Sequence, residues 1–195
     1  IGYHELWVNG EKVGDEVLLP SVSELSLRAR QVDYDVTSHL RAGNNAIVLW
    51  LGSGWGGFPD YHVAKAPLVR AEFAIDCEGG SALRIATDET WRERRSPSQR
   101  VGTWRVWDYG GERIDASRAL PGFASPELDD SDWSPVGSFA VDVALSPDVL
   151  RGNRCVEELQ PVAVEPRGEN VWRVDFGRSF TGWFEAELTG KPGAT

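Results

Sequence analysis

The stretch Tyr3–Pro20, YHELWVNGEKVGDEVLLP, carries the sequence signal that decides the fold. Asn9-Gly10 separates two apolar-rich segments, and a type I′ turn needs positive φ at both central residues, which Asn and Gly tolerate best. The stretch therefore predicts a β-hairpin. Apolar side chains occupy both faces of its first strand, which is typical of a strand inside a sandwich. One face carries His4, Leu6 and Val8, and the other carries Tyr3, Glu5 and Trp7.

Short strands separated by turns are predicted along the rest of the chain. The continuous apolar run 46–51 predicts a buried strand, and no sustained 3.6-residue periodicity is present. Asp35 or Thr37 is expected to cap a single helical turn that ends near Leu40. Many short strands with Gly and Pro turns predict an all-β sandwich. The other predicted strands are 25–36, 68–75, 82–86, 90–94, 171–176 and 183–188.

Composition limits the classes of partner. The net charge is −10, from 30 acidic and 20 basic residues, and nucleic-acid backbones favour basic surfaces, so no nucleic-acid partner is expected. No apolar run approaches the roughly 18 residues of a membrane helix, so no membrane partner is expected. No secretion signal opens the chain, and the compartment, cytoplasmic or secreted, stays open. An acidic surface leaves room for calcium or for neutral ligands such as sugars.

Cysteine and tryptophan give two further indications. Cys77 and Cys155 do not form a disulfide framework, and two buried free thiols are expected, although the two could pair if they lie close. Neither has a second ligand at zinc spacing. Nine Trp residues are many for 195 residues, and indole rings both fill cores and stack on sugar rings.

The glycine-rich loop after the apolar run is the candidate carbohydrate site. Trp55, Phe58, Asp60 and Tyr61 lie in or beside it. In the binding interpretation a sugar ring stacks on an aromatic side chain, and Asp60 accepts hydrogen bonds from hydroxyl groups. In the alternative, Trp55 plugs the end of the sandwich and the loop contacts a neighbouring domain.

The acidic segment Asp129, Asp130 and Asp132 is a candidate calcium site, because carboxylate oxygens are calcium ligands. No Gly at the sixth position and no twelfth-position Glu complete an EF-hand loop. The alternative is an Asx turn that places Trp133 in the core.

Other polar and aromatic residues receive structural interpretations. Asp33 and Asp35 are expected in a cap and turn, and the three histidines, His4, His39 and His62, in structural or exposed positions. For Trp104, Trp107 and Tyr109, beside Arg105, two interpretations stay open: a stacked Arg-Trp cluster, or a core strand joining two sheets.

Several of these motifs follow the order seen in one family. The segments ELWVNGEKVGDEVL, VDYDVTSHLRAGNNAIVLWLGSGW, ATDETWRERRSP, YGGERIDA and PELDDSDWSPV together resemble the N-terminal β-sandwich of bacterial α-L-rhamnosidases. The segment WRVDFGRSFTGWFEAELTGKPGA resembles the start of the β-domain that follows. The resemblance implies a jelly-roll accessory domain of carbohydrate-binding type over 1–150, and a linker with the truncated start of a second β-sandwich domain over 151–195.

The resemblance also implies where the chemistry lies. Complete members of the family continue into a catalytic (α/α) barrel, whose acidic residues hydrolyse terminal α-L-rhamnosides by inversion, and no position here matches them. We therefore expect no catalytic residue in this chain. Some members bind L-rhamnose on such a sandwich through calcium. L-Rhamnose-containing glycosides and the barrel of the parent chain are the expected partners, and calcium is a possible cofactor.

Three hypotheses follow for function. The first is a non-catalytic accessory domain of an α-L-rhamnosidase-like glycoside hydrolase. The second is a free-standing carbohydrate-binding module. The third is a purely structural or interaction domain, which predicts that Trp55 and Trp107 are buried. Because the chain opens in mid-strand and lacks Met, we expect it to be a piece that lacks the sandwich's first strand and the remainder of the second domain.

Overall fold

The computed structural model describes residues 1–57, 67–77, 79–105, 107–138, 140–187 and 189. The chain divides into two compact units, Ile1–Asn153 and Arg154–Thr195. The predicted all-β class is confirmed, since the described residues form strands and short 3-10 turns but no α-helix. None of their helical segments is long and apolar enough to cross a membrane.

The strands of the first unit are short. They are β1 (Tyr3–Val8), β2 (Glu11–Lys12), β3 (Glu16–Val17), β4 (Arg28–Gln31), β5 (Ile47–Gly52), β6 (Glu72–Asp76), β7 (Ala82–Ala86), β8 (Arg92–Glu93), β9 (Ser98–Arg105), β10 (Asp108–Ile114), β11 (Ser134–Pro135) and β12 (Ala144–Pro147). Strand β13 (Asn153–Arg154) lies at the boundary, and β14 (Ala163–Gly168) and β15 (Val171–Asp175) form the second unit's hairpin. The 3-10 turns are Thr37–His39, Gly54–Gly57 and Ala116–Arg118.

The predicted hairpin is present as β1 and β2, and it belongs to a three-stranded sheet with the order β2-β1-β5. Asn9 and Gly10 have φ angles of +52° and +89°, as a type I′ turn requires. Strand β5 pairs antiparallel with β1 from Tyr3 opposite Gly52 to Val8 opposite Ile47. Strand β1 is therefore the central strand of this sheet.

The core lies against one face of β1. Leu6 and Val8 pack with Val13 and Phe73 in a cluster of buried side chains. On the opposite face, the Phe123 ring lies 5.1 Å from Trp7 and 4.9 Å from Trp50, both in edge-to-face arrangements. Further apolar residues that pack against the core are Tyr34, Val36, Leu40, Ile47, Leu49, Ala71, Ile85 and Trp91.

The remaining sheets are two-stranded. Strands β6 and β7, β8 and β11, and β9 and β10 pair antiparallel, whereas β4 and β12 pair parallel from Arg28 opposite Ala144 to Gln31 opposite Pro147. The parallel pair joins positions more than 100 residues apart in sequence, so its formation closes a long loop.

Three strand predictions need correction. The run 46–51 was predicted as buried, but β5 is half-buried because one of its faces points outward and leaves Trp50 38% exposed. Within 25–36, β4 takes four residues, because a turn at 25–27 precedes it and no ladder continues after it. Residues 183–187 of the predicted strand 183–188 are not in a strand, since no neighbouring strand among the described residues supplies a ladder.

The predicted helical turn is present as a 3-10 turn. Val36 occupies its N-cap position, which neither predicted capping residue does. The Asp35 carboxylate nevertheless accepts a hydrogen bond of 2.9 Å from the Thr37 backbone N–H, so Asp35 supports the turn from one residue earlier.

The Asn9 side chain links the hairpin turn to the loop before β5. Its Nδ2 donates to the His39 carbonyl and to Asn45 Oδ1, both at 2.8 Å. Its Oδ1 accepts a 2.9 Å hydrogen bond from the Ala46 backbone N–H. The residue that permits the turn therefore also fixes where β5 begins.

Replacing Asn9 by Ala should destabilise the protein by about 2–3 kcal/mol. The variant loses the hydrogen bonds of the amide and places an ordinary residue at positive φ. Urea unfolding measures the change. Asn44→Ala is the matched control, since the described part of the chain shows no hydrogen bond from its side chain, and it should cost less than about 0.5 kcal/mol. Equal losses in the two variants would contradict this role of Asn9.

Candidate functional site

Trp55 lies in the turn Gly54–Gly57, directly after β5, and is half-buried. The turn backbone approaches the Tyr3 ring closely, because a Cβ on Gly54 would lie 2.9 Å from Tyr3 Cδ2. Burial raises the pKa of Tyr3, and a hydrogen bond with the Trp55 side chain lowers that pKa to a smaller extent. Trp55 is thus held against the first residue of β1.

A small pocket opens beside Trp55. Tyr3, Val22, Leu25 and Arg30 are among the residues that line it. Its volume is about 30 Å³, and one water molecule needs roughly 10–15 Å³ by the same kind of measure. The pocket therefore has room for about two water molecules and cannot enclose a sugar ring.

The rest of the candidate carbohydrate site lies outside the described residues. This applies to Phe58, Asp60 and Tyr61. The sugar platform built on them with Trp55 stays a prediction.

Arg30 supplies a cation to the wall of this pocket. Its Nη1 donates to Ser146 Oγ at 3.4 Å and to the Pro147 carbonyl at 3.2 Å, which ties β4 to β12. Its Nε is buried and has no hydrogen-bond partner among the described residues. Charge and periodicity in the sequence give no indication of this position, because β4 and β12 are distant along the chain.

His4 and Tyr34 form a polar pair that the sequence does not reveal. The Tyr34 hydroxyl lies 3.1 Å from His4 Nε2, and both side chains are half-buried. Burial, followed by the nearby Glu16 and Glu5 carboxylates, raises the pKa of Tyr34 to about 12. Burial lowers the pKa of His4. At neutral pH a neutral hydroxyl group and an uncharged imidazole therefore share this hydrogen bond.

The acidic segment forms a local turn. The Asp129 carboxylate accepts a 3.0 Å hydrogen bond from the Ser131 backbone N–H, and the Trp133 N–H donates to the Asp130 carbonyl at 2.9 Å. Hydrogen bonding to Ser131 lowers the pKa of Asp129. Across the described ranges, no three His, Cys, Asp or Glu side chains, Asp132 included, come together as a metal site. Calcium binding stays a prediction.

Both cysteines are free and exposed. The expectation that they are free agrees with the structure, whereas the expectation that they are buried is wrong. Cys77 follows β6 at a turn, where its backbone N–H donates to the Ser81 carbonyl at 2.8 Å. The Cys155 thiol donates to the Glu157 carbonyl at 3.4 Å. Turn and connecting segments of this kind lie on the surface.

The remaining polar candidates contact near neighbours. Asp33 accepts a 2.8 Å hydrogen bond from Gln31 Nε2. His39 Nδ1 lies 3.3 Å from the Glu11 carboxylate. His62 lies outside the described residues.

Trp107 lies at the turn between β9 and β10 and is 91% exposed. This excludes a core strand at Trp107, and it contradicts the expectation, drawn from the purely structural hypothesis, that Trp107 is buried. The structure describes the backbone of Trp104, Arg105 and Tyr109 but not their side chains, so the Arg-Trp cluster stays a prediction.

Comparison with known proteins identifies the family. Residues 1–157 match the family described as the alpha-L-rhamnosidase N-terminal domain. The chain belongs to this family. The resemblance read from the sequence is therefore confirmed.

Relatives in the family are much longer than this chain. An α-L-rhamnosidase from Formosa agariphila is 31% identical over 206 residues, which cover 99% of this chain and 21% of the relative. An α-L-rhamnosidase from Streptomyces avermitilis is 27% identical over 202 residues, which cover 100% of this chain and 19% of the relative. The chain thus spans about a fifth of the length of these relatives.

Solved structures show the same fold. An α-L-rhamnosidase from Dictyoglumus thermophilum matches 91% of this chain with a TM-score of 0.78 and 26% identity, and the match covers 19% of that protein. The Streptomyces avermitilis α-L-rhamnosidase, complexed with L-rhamnose, matches 90% with a TM-score of 0.74 and 26% identity, and the match covers 17% of that protein. These likenesses support the predicted fold class.

The His4–Tyr34 pair should make stability fall at alkaline pH. The ordinary pKa of tyrosine is 10.0, and that of folded Tyr34 is about 12. Between these two pH values the unfolded state releases the hydroxyl proton while the folded state keeps it. The contribution of Tyr34 to the free energy of unfolding is therefore complete below pH 10 and is lost as pH rises towards 12.

Urea unfolding of wild type and Tyr34→Phe across this range tests the assignment. The phenylalanine variant lacks the titrating group, so its stability should fall less steeply between pH 10 and 12. At neutral pH it should lose about 1 kcal/mol with the hydrogen bond. Parallel pH profiles for the two proteins would show that Tyr34 is not the responsible group.

Proposed function

We propose that this chain is a non-catalytic accessory region of a larger α-L-rhamnosidase-like glycoside hydrolase, in which it braces the catalytic domain. The observation that carries the proposal is the match of residues 1–157 to the N-terminal domain family, in a chain that spans about a fifth of its relatives. The proposed substrates of the whole protein are terminal α-L-rhamnosides, hydrolysed by inversion in an (α/α) barrel.

The β14–β15 hairpin in the second unit supports the proposal that the chain is one region of a larger protein. Its register places Val164 opposite Val174 and Pro166 opposite Trp172, so one face is apolar. Val164, Trp172 and Val174 are all exposed on this face, Trp172 to 63%. An isolated two-stranded hairpin is marginally stable, and an apolar face needs further strands or a helix to cover it.

The opposite face of the same hairpin is polar. Glu165 pairs with Arg173, and Ala163 pairs with Asp175. Arg173 Nη2 lies 3.3 Å from the Asp175 carboxylate. A hairpin with one charged and one apolar face is an outer layer of a sandwich, and we infer that the remainder of a second β-domain covers the apolar face.

The purified chain should show no steady hydrolysis of an aryl α-L-rhamnoside, because the proposal places the catalytic carboxylates in the (α/α) barrel of the larger protein. A longer form of the protein that includes the following domains should hydrolyse the same substrate. Turnover by the short chain, or an inactive but folded longer form, would overturn the proposal.

The covering of the hairpin can be tested with two substitutions in β15. In the longer form, Trp172→Ala should destabilise by about 3 kcal/mol, since it removes a large buried side chain. In the short chain the same change should cost less than about 0.5 kcal/mol. The control Arg173→Ala, on the charged face, should cost less than about 1 kcal/mol in both forms. A small effect of Trp172→Ala in the longer form would refute the covered face.

A further inference from the structure

Asn9-Gly10 is the only Asn-Gly pair in the sequence. The pair is chemically labile as well as suited to a turn, because glycine has no Cβ to shield its backbone nitrogen from the neighbouring amide. Once the nitrogen of Gly10 loses its proton to a base in the solvent, it can attack Cγ of Asn9 and expel ammonia. The hairpin turn therefore contains a reactive amide, and the contacts around Asn9 decide whether it reacts.

Gly10 leaves the attacking side of this reaction open. It is exposed, and a Cβ on Gly10 would meet no heavy atom within 4 Å. Its φ angle of +89° is one that glycine adopts without strain. Packing around Gly10 gives no protection, so the restraint on the reaction has to come from Asn9.

The side chain of Asn9 is held at both atoms of its amide group. Nδ2 donates to the His39 carbonyl and to Asn45 Oδ1, each at 2.8 Å, and Oδ1 accepts from the Ala46 N–H at 2.9 Å. We call these three hydrogen bonds the clamp. Its partners lie at least 30 residues from Asn9 along the chain, so the clamp exists only while the loop before β5 stays on the hairpin.

The clamp opposes both halves of the reaction. The Gly10 nitrogen has to reach Cγ, which requires the amide group to turn away from Ala46. Nδ2 has to leave as ammonia, which requires its two donated hydrogen bonds to break. One hydrogen bond of this kind changes an equilibrium by about fivefold, so the three bonds of the clamp together slow the reaction strongly.

We propose that Asn9 is a deamidation site, kept unreactive by the clamp and exposed to reaction when the loop before β5 opens. The bond from the Gly10 nitrogen to Cγ forms and the Cγ–Nδ2 bond breaks, which gives a cyclic imide and ammonia. Water then adds to either carbonyl of the imide and leaves aspartate or isoaspartate in place of asparagine. Water and a solvent base are the co-reactants.

Either product weakens the hairpin permanently. A carboxylate has no N–H to donate to the His39 carbonyl or to Asn45 Oδ1, and it places a negative charge beside both oxygens. Isoaspartate also adds a carbon atom to the main chain inside a turn whose length sets the strand register. Deamidation thus turns a reversible opening of the loop into a permanent loss of the contacts that link the turn to β5.

Mass spectrometry of peptides that contain residue 9 tests the proposal on the purified chain in mildly alkaline buffer. The chain unfolded in urea should deamidate at Asn9 at least about tenfold faster than the folded chain, because the clamp is lost. Folded Asn45→Ala, which lacks one acceptor of the clamp, should react about fivefold faster than folded wild type. Asn44→Ala, the matched control at the neighbouring position, should react as wild type does.

A second control separates the clamp from general destabilisation. Tyr34→Phe weakens the first unit but keeps the contacts of Asn9, so its folded form should react as wild type does. Equal rates in folded and unfolded wild type would overturn the proposal, as would equal rates in folded Asn45→Ala and Tyr34→Phe. If Asn45→Ala does not fold, the comparison of folded with unfolded wild type decides alone.

Discussion

The packing of β1 on both of its faces is the constraint on which the first unit depends. Its inner face contributes Leu6 and Val8 to the buried cluster, and its outer face holds Trp7 against Phe123. Because side chains alternate along a strand, one register sets both contacts, and a slip by one residue would exchange them. The Asn9-Gly10 turn fixes the register of β1 with β2. The hydrogen bonds of the Asn9 side chain to the loop before β5 fix the register of β1 with β5.

Local features of the fold could be predicted from the sequence, whereas distant pairings could not. The Asn9-Gly10 hairpin is decided by two residues and their φ angles, and β7 is recovered at its predicted bounds, 82–86. The parallel pairing of β4 with β12 has no such local signal, because RARQ and ALSP do not alternate clearly. The segment 183–187 alternates in sequence but forms no strand among the described residues. Alternation alone does not make a strand, because a neighbouring strand must complete the hydrogen-bonded ladder.

The candidate site is less accessible to sequence reasoning than the fold. The count of nine Trp residues indicates a role in packing or binding but does not assign each one. Trp7 and Trp91 pack, Trp55 is held by Tyr3, and Trp107 is exposed. Exposure depends on what the rest of the chain covers, so composition cannot give it. The His4–Tyr34 pair has the same limit, because its partners are 30 residues apart.

Exposed apolar surface is the feature of the described residues that best fits an accessory role in a larger protein. Burial of apolar area is the main favourable contribution to folding, and the described residues hold a small set of buried apolar side chains: Leu6, Val8, Val13, Leu19, Ala29, Phe73 and Ala124. The apolar face of β14–β15 is regular, continuous across two paired strands and opposed by a charged face, as a surface selected for packing would be. A regular apolar face of this kind fits another protein layer, because only a surface of matching width can remove a whole strand pair from water.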